Sequence, residues 1–478
     1  MFLGLNLRVL RVHRGDYHRL PILVALAAIL LGAGGDKPTL CDAAKHGDKE
    51  ALRALLKQGA SVTASEADGT TALHWASYRD EVDSADLLIR AGAKVNAAND
   101  LGVTPLWTAS LNGSAAMVRR LLAAGANPNL ALLLGETPVM VASRTGNPDV
   151  VEQLIVKGAD VNARAARGQT ALMWAVAQKH PDVVKVLLSH RANLHARSDV
   201  WSEVMAVSPH GDLDYNRAIP HGGDTALMFA ARVGDFASAK LLVAAGANVD
   251  DQDAWGISAT VLAAHAGYGD LVEFLLEQGA DPNAAAPGFT ALHEAIMRRD
   301  ERTVTALLAY GADPNAPLRT WTPTRRSSHD FYFDPELVGA TPFWLAARFS
   351  QPSVMRLLLT YGADPLFVHH GDHVVLGKGG DAFERRTQVT TALMAAAGMG
   401  GGTAWVQPGR GEREALTLEA VKLAAELGVD VNAANTDGRT ALDAAKALKY
   451  ESVVKFLVEN GAVPGATKKG QTASSEKN

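Results

Sequence analysis

Residues 369–381 read HHGDHVVLGKGGD. His369, His370, Asp372 and His373 are four metal-ligating side chains within five positions, with Asp381 in reach as a further candidate. Imidazole and carboxylate together suit zinc or another divalent transition metal. Adjacent residues converge on one ion only where the backbone folds back sharply, and no HExxH or EF-hand pattern accompanies them. The plainer expectation is a polar loop that closes its own hairpin. The Gly-Lys-Gly-Gly at 377–380 lacks the GxxxxGK[ST] spacing and the strand–helix context of a phosphate loop. A metal-binding or enzymatic centre in this stretch is therefore a secondary reading. No cofactor is expected, and no nucleophile–base set points to an enzyme.

What must position these residues is a chain of 478 amino acids, 47% apolar and 20% charged, enough to bury a large core. A net charge of −5 is too mild for a nucleic-acid binder. The single cysteine, Cys41, excludes an intrachain disulfide and a Cys-based zinc cluster.

Arg8, Arg11, Arg14 and Arg19 precede an apolar run from Leu20 to Leu31, followed by small residues at 32–35. This is the layout of a secretory signal over 1–33, cleaved after Ala33. The alternative is a retained N-terminal membrane anchor, but twelve helical residues reach only ~18 Å against ~30 Å of hydrocarbon. Cleavage would remove four Arg and one Asp and leave a net charge of about −8. The expected location is periplasmic or secreted, with no stable membrane insertion after cleavage.

Self-similarity dominates the remainder. GVTPLWTASLNGSAAMVRRLLAAGANPN from Gly102 is answered by GETPVMVASRTGNPDVVEQLIVKGADVN from Gly135. Thr71, Thr104, Thr137 and Thr170 stand thirty-three positions apart; Thr225, Ser258, Thr290, Thr341, Thr391 and Thr440 continue the series. A degenerate first unit begins near Pro38, which makes eleven units over about 36–465. Each Thr is placed to cap a helix, often with Pro at the first helical position (Pro105, Pro138, Pro342). A second helix with apolar pairs such as Leu121-Leu122 ends at a glycine suited to a left-handed cap, and an Asn-containing turn follows.

The T-P-L-H-like and G-A-D-x-N signatures at this period resemble ankyrin repeats, over most of the chain. The resemblance implies an all-α repeat solenoid: two antiparallel helices and a β-turn finger per unit, stacked into an arc of ~100 Å. It also implies a non-enzymatic protein-binding scaffold.

Three intervals exceed the period: Thr170 to Thr225 by twenty-two positions, Thr290 to Thr341 by eighteen and Thr341 to Thr391 by seventeen. The surplus falls at about 200–222, 321–338 and 366–389, as three enlarged fingers bordering the concave face. Insertions confined to one face mark a working face. The first carries Trp201 and Tyr215. The second carries Trp321, Arg325, Arg326, Phe331 and Tyr332, residue types that anchor binding surfaces. A further insert at 398–414 separates the two helices of one unit and reads as a flexible loop on another edge. Residues 466–478 read as a disordered tail.

Positions seven and eight after each cap Thr close the first helix of the unit. In ankyrin proteins these positions vary and touch partners. Here they include Lys45, Tyr78, Arg79, Arg144, Arg232, Arg298, Arg348 and Phe349, and none is Asp or Glu. A basic ribbon on an acidic protein suggests a protein partner with an acidic contact surface, met by a monomeric chain. Resemblance to exported bacterial ankyrin proteins makes an exported scaffold the leading reading. A secreted effector that binds host proteins is the alternative.

Overall fold

The computed structural model of the chain describes residues 38–205, 217–322, 333–376 and 383–466. The 1–33 segment and nearly all of the tail lie outside the described residues. Among those described, twenty-two α-helices pair into eleven helical hairpins, numbered here in chain order. Hairpin 1 pairs Leu40–His46 with Lys49–Lys57, and hairpin 11 pairs Ala441–Leu448 with Glu451–Glu459.

The cap residues work as the sequence implies. The Thr104 hydroxyl accepts from the Trp107 N–H at 3.1 Å, and the Ser258 hydroxyl accepts from the Val261 N–H at 3.3 Å. In hairpins 2 and 8 a histidine completes the cap. The Thr71 N–H donates to His74 Nδ1 at 3.0 Å, so the ring proton sits on Nε2 and is donated to the Val103 carbonyl at 2.9 Å. His293 repeats this with Thr290 and the Ala316 carbonyl. Burial keeps the His293 imidazole neutral and lowers its pKa to about 4.

Each helix of a pair stacks on its counterpart in the next hairpin. The small side chains Ala76, Ala109, Ala142 and Ala175 are fully buried between inner helices and allow close approach. Leu88, Leu121, Leu154 and Leu187, at the same spacing, are fully buried on the outer layer. Each such leucine contributes roughly 1.5–3 kcal/mol of burial. This stack is the solenoid expected from the period.

The Asn of each turn has a defined task. Asn96 donates to the Gly125 carbonyl at 3.1 Å and accepts from the Asn127 N–H at 2.8 Å, tying one hairpin to the next. Asn129 makes the same pair with Gly158 and Asp160. Hairpin 5 departs from this. His195 replaces the Asn, and Arg197 bridges instead, to the Gly223 and Gln252 carbonyls and to Asp251. Arg191 holds the left-handed cap normally given to Gly, at φ 61°. Asn162 reaches its carbonyl only at 3.5 Å.

Two enlarged fingers are β-hairpins, an addition to the all-α plan. β1 (Trp201–Met205) pairs with β2 (Arg217–His221), and β3 (Val368–Leu376) pairs with β4 (Phe383–Thr391), both antiparallel. The extra residues of hairpin 10 also differ from expectation. Its outer helix begins at Arg410 and runs to Glu426, so residues 410–414 are helical rather than loop.

Candidate functional site

HHGDH lies inside β3, and that placement decides its chemistry. Successive strand residues face opposite sides. His369 and His373 point inward and are buried, whereas His370 and Asp372 are exposed. The two inward rings stand four residues apart on an extended strand, roughly 13 Å along it. The four residues do not converge on an ion. Among the described residues no group of three or more His, Cys, Asp or Glu is placed to hold a metal. Residues 377–382, including Asp381 and the Gly-Lys-Gly-Gly, lie outside those described.

Three of the four have another task. His369 packs on Trp344, ring centroids 4.4 Å apart, with Nε2 2.9 Å from the Val338 carbonyl. Burial lowers its pKa. His373 faces Glu336 at 3.8 Å, and Asp372 takes both arms of the Arg385 guanidinium across the strand pair. The histidines fasten the third finger to the base of the second.

The anchors of the other fingers are partly engaged within the chain. Trp201 stacks on His221, its cross-strand neighbour, at 5.6 Å, and the Arg167 guanidinium covers the ring at 4.6 Å. Trp321 is half-buried. Tyr215, Arg325, Arg326, Phe331 and Tyr332 lie outside the described residues.

The largest departure concerns the insert of hairpin 10. Sequence reading puts it on another edge as a flexible loop. The segment instead crosses the inner helices. The Thr403 N–H donates to Asp334 at 2.6 Å, and Trp405 packs on Phe333 at 5.5 Å and on His265 at 5.2 Å. Arg348 donates to the carbonyls of Gly401 (2.7 Å) and Gly402 (3.1 Å). Its glycines admit this crossing: a Cβ on Gly400 would come within 2.4 Å of Trp344, and one on Gly402 within 2.5 Å of Leu337. Under Trp405 lies a fully buried Glu294, one oxygen 3.0 Å from His265 Nδ1; burial raises its pKa. Along hairpins 7–10 the chain has filled its own groove.

This removes two residues from the expected contact ribbon. Phe349 is 6% exposed and belongs to the core. Arg348 is covered by the crossing segment. Nothing in the local pattern near Thr341 signals a cover that arrives from some fifty positions downstream. The lone Trp405 in a glycine-rich stretch was the available hint.

The rest of the ribbon is present but largely paired. Lys45 meets Glu66 at 3.7 Å, Arg79 meets Glu81 at 3.0 Å and Arg232 meets Asp224 at 2.8 Å. Arg144 lies over the Trp174 ring at 5.0 Å, and Arg298 rests against the Gly267 turn. Counting cations at two register positions overlooks carboxylates from neighbouring turns. These cations also sit in the last turn or cap of inner helices, where the helix dipole favours them. The partly exposed Lys45–Glu66 and Arg79–Glu81 pairs are worth about 0–1 kcal/mol, so an incoming carboxylate exchanges with them cheaply, whereas Asp224 is buried beside Arg232. Tyr78 remains 46% exposed among them.

Family models for ankyrin repeats match residues 40–131, 106–198, 227–317 and 338–370, more than half of the chain. The chain belongs to the ankyrin repeat family. A 94-residue stretch is 38% identical to an ankyrin repeat-containing protein of Treponema pallidum (strain Nichols), covering 19% of this chain and 32% of that one. A 152-residue stretch is 32% identical to the mitochondrial disaggregase of Bos taurus, covering 24% and 22%. The chain thus spans under a third of each of these curated relatives. Among solved structures, the human ASB11 ankyrin repeat domain is 30% identical and covers 52% of this chain and all of its own, with a TM-score of 0.43. Ankyrin repeats form protein–protein interaction scaffolds. The hairpins that follow the period most strictly, 2 to 5, lie within the matched stretches.

Proposed function

We propose that this protein is an exported, non-enzymatic ankyrin scaffold that docks an acidic segment of a partner protein on the inner-helix ends of hairpins 1 to 6, bordered by the first finger. The observation that carries the reading is the row Tyr78, Arg79 and Arg232, exposed, with Lys45 and Arg144, half-buried, left uncovered by the segment that occupies hairpins 7 to 10. Arginine supplies bidentate capture of carboxylates, and the flanking rings Trp75, Tyr78 and Trp174 supply apolar contact. The N-terminal Arg-rich and apolar pattern supports export through a cleaved signal, and the periplasm or exterior is the compartment it implies.

The test is crosslinking of the mature protein in its own compartment, followed by mass spectrometry. A recurrent partner attached to hairpins 1–6 by its acidic residues supports the reading. Recovery of the chain in the cytoplasm with segment 1–33 intact would remove the export part. Crosslinks confined to hairpins 7–11 would remove the docking part.

A further inference from the structure

A cavity of about 260 Å³ lies between the segment that crosses the groove and hairpins 9 to 11. Two guanidinium groups, Arg348 and Arg413, are in its wall, and among the described residues no Asp or Glu is. Arg348 uses two of its five N–H donors on the Gly401 and Gly402 carbonyls; its Nη1 makes no hydrogen bond among the described residues. Arg413 makes one long bond, to the Pro408 carbonyl at 3.4 Å. Carbonyl dipoles orient a cation without neutralising it. Asp334, whose charge reaches Arg348, is already engaged by the Thr403 N–H. Burial pushes the Arg348 guanidinium below its ordinary pKa, and the Asp334 carboxylate offsets only part of that.

The neighbouring cavity, about 230 Å³ on the other side of residues 398–401, sharpens the contrast. Its wall holds Asp437 as well as Arg439, so its cation already has an acid nearby. The first cavity presents two guanidinium groups with no carboxylate among its described lining residues, together with apolar walls from Phe349, Pro408 and Leu448.

We propose that this cavity binds a small organic acid, its carboxylate held by Arg348 and Arg413 and its carbon skeleton against Phe349, Pro408 and Leu448. The size argues for a small acid, since sites for drug-sized ligands run ~300–1,000 Å³. The apolar walls argue against bare inorganic phosphate, which has no surface to place there. Because Gly402, Thr403, Ala404 and Pro408 form one side, a bound acid would also hold the crossing segment shut over hairpins 7 to 10. The inference does not depend on export or on the partner proposed above.

The experiment is calorimetric titration of the full chain with acetate, benzoate, succinate and glutarate, and with inorganic phosphate at matched ionic strength. At least one carboxylate should saturate one-to-one below about 10 mM, and phosphate should not. Arg413→Gln, a half-exposed position, should weaken that binding about tenfold or more, the usual worth of a charged hydrogen bond. Arg348→Gln should abolish it; if that variant fails to fold, Arg413→Gln carries the test alone. Binding by none of the four acids, binding unchanged in Arg413→Gln, or phosphate binding in their place would each overturn the proposal.

Discussion

Hairpins 2 and 9 carry the same two register positions to different ends. Tyr78 and Arg79 close the inner helix of hairpin 2 in solvent, Tyr78 at 46% exposure. Arg348 and Phe349 close that of hairpin 9 beneath residues 401–405, Phe349 at 6%. The difference comes from chain supply. From Thr71 to Thr170 every unit has the bare period, all of it needed for two helices and a turn. The intervals opened by Thr290, Thr341 and Thr391 each run half a unit longer, and in the described part of that surplus Phe333, His369 and Gly401 pack on the inner helices. One half of the arc keeps a surface for others and the other half has used its surface on itself.

The comparison can be stressed with acid. His293 is fully buried as the neutral base, with its pKa lowered from 6.5 to about 4. The unfolded chain therefore takes up a proton below about pH 6.5 that the folded hairpin refuses, and stability falls until about pH 4. The cost approaches about 3 kcal/mol at pH 4. Its neighbour Glu294, with a raised pKa, acts in the opposite direction, so the readout is the difference between wild type and His293→Gln in denaturant midpoint from pH 7 to 4. Relative to the variant, wild type should lose stability steadily toward acid; a pH-independent offset would mean that the imidazole is not the titrating group.

Removing the cover gives the next effect. Trp405→Ala takes away the contacts with Phe333 and His265, for a loss of about 2 kcal/mol. Hydrogen exchange should accelerate across residues 398–409 and hairpins 7–10 and stay unchanged in hairpins 1–5. Equal acceleration in both halves would erase the difference between them.

Charge reversal separates the halves by function. Arg79→Glu, Arg144→Glu and Arg232→Glu together should lower affinity for the crosslinked partner by about tenfold or more, chiefly through the on-rate and less so at high salt. Arg298→Glu, next to the filled groove, should leave affinity within about twofold. Matching losses from both would move the docking surface to the C-terminal half.

The smallest effect lies at the join between them. Arg191→Gly relieves a left-handed cap and should stabilise the chain by about 1 kcal/mol, read as a rise in the thermal midpoint.

Much of this architecture was legible because its rules are local. Thr at the cap, Pro at the first turn, Gly at the left-handed end and Leu on every outer helix each act within about one helical turn, and repetition multiplied a weak signal eleven times. The site was less legible. The HHGDH stretch reads as a cluster until a strand is imposed on it, when His369 and His373 turn inward and His370 and Asp372 turn out. The basic ribbon reads as uncompensated until Glu66, Glu81 and Asp224 are brought beside Lys45, Arg79 and Arg232.

By itself the amino-acid sequence determined the hairpin unit, its number and period, the capping chemistry and the places where extra chain enters. Only the tertiary structure decided where that chain goes: Thr403 to Asp334 across sixty-nine positions, Arg348 to Gly401 across fifty-three. Those meetings depend on the curvature of the whole stack and on which desolvated groups find partners there. No local pattern encodes either.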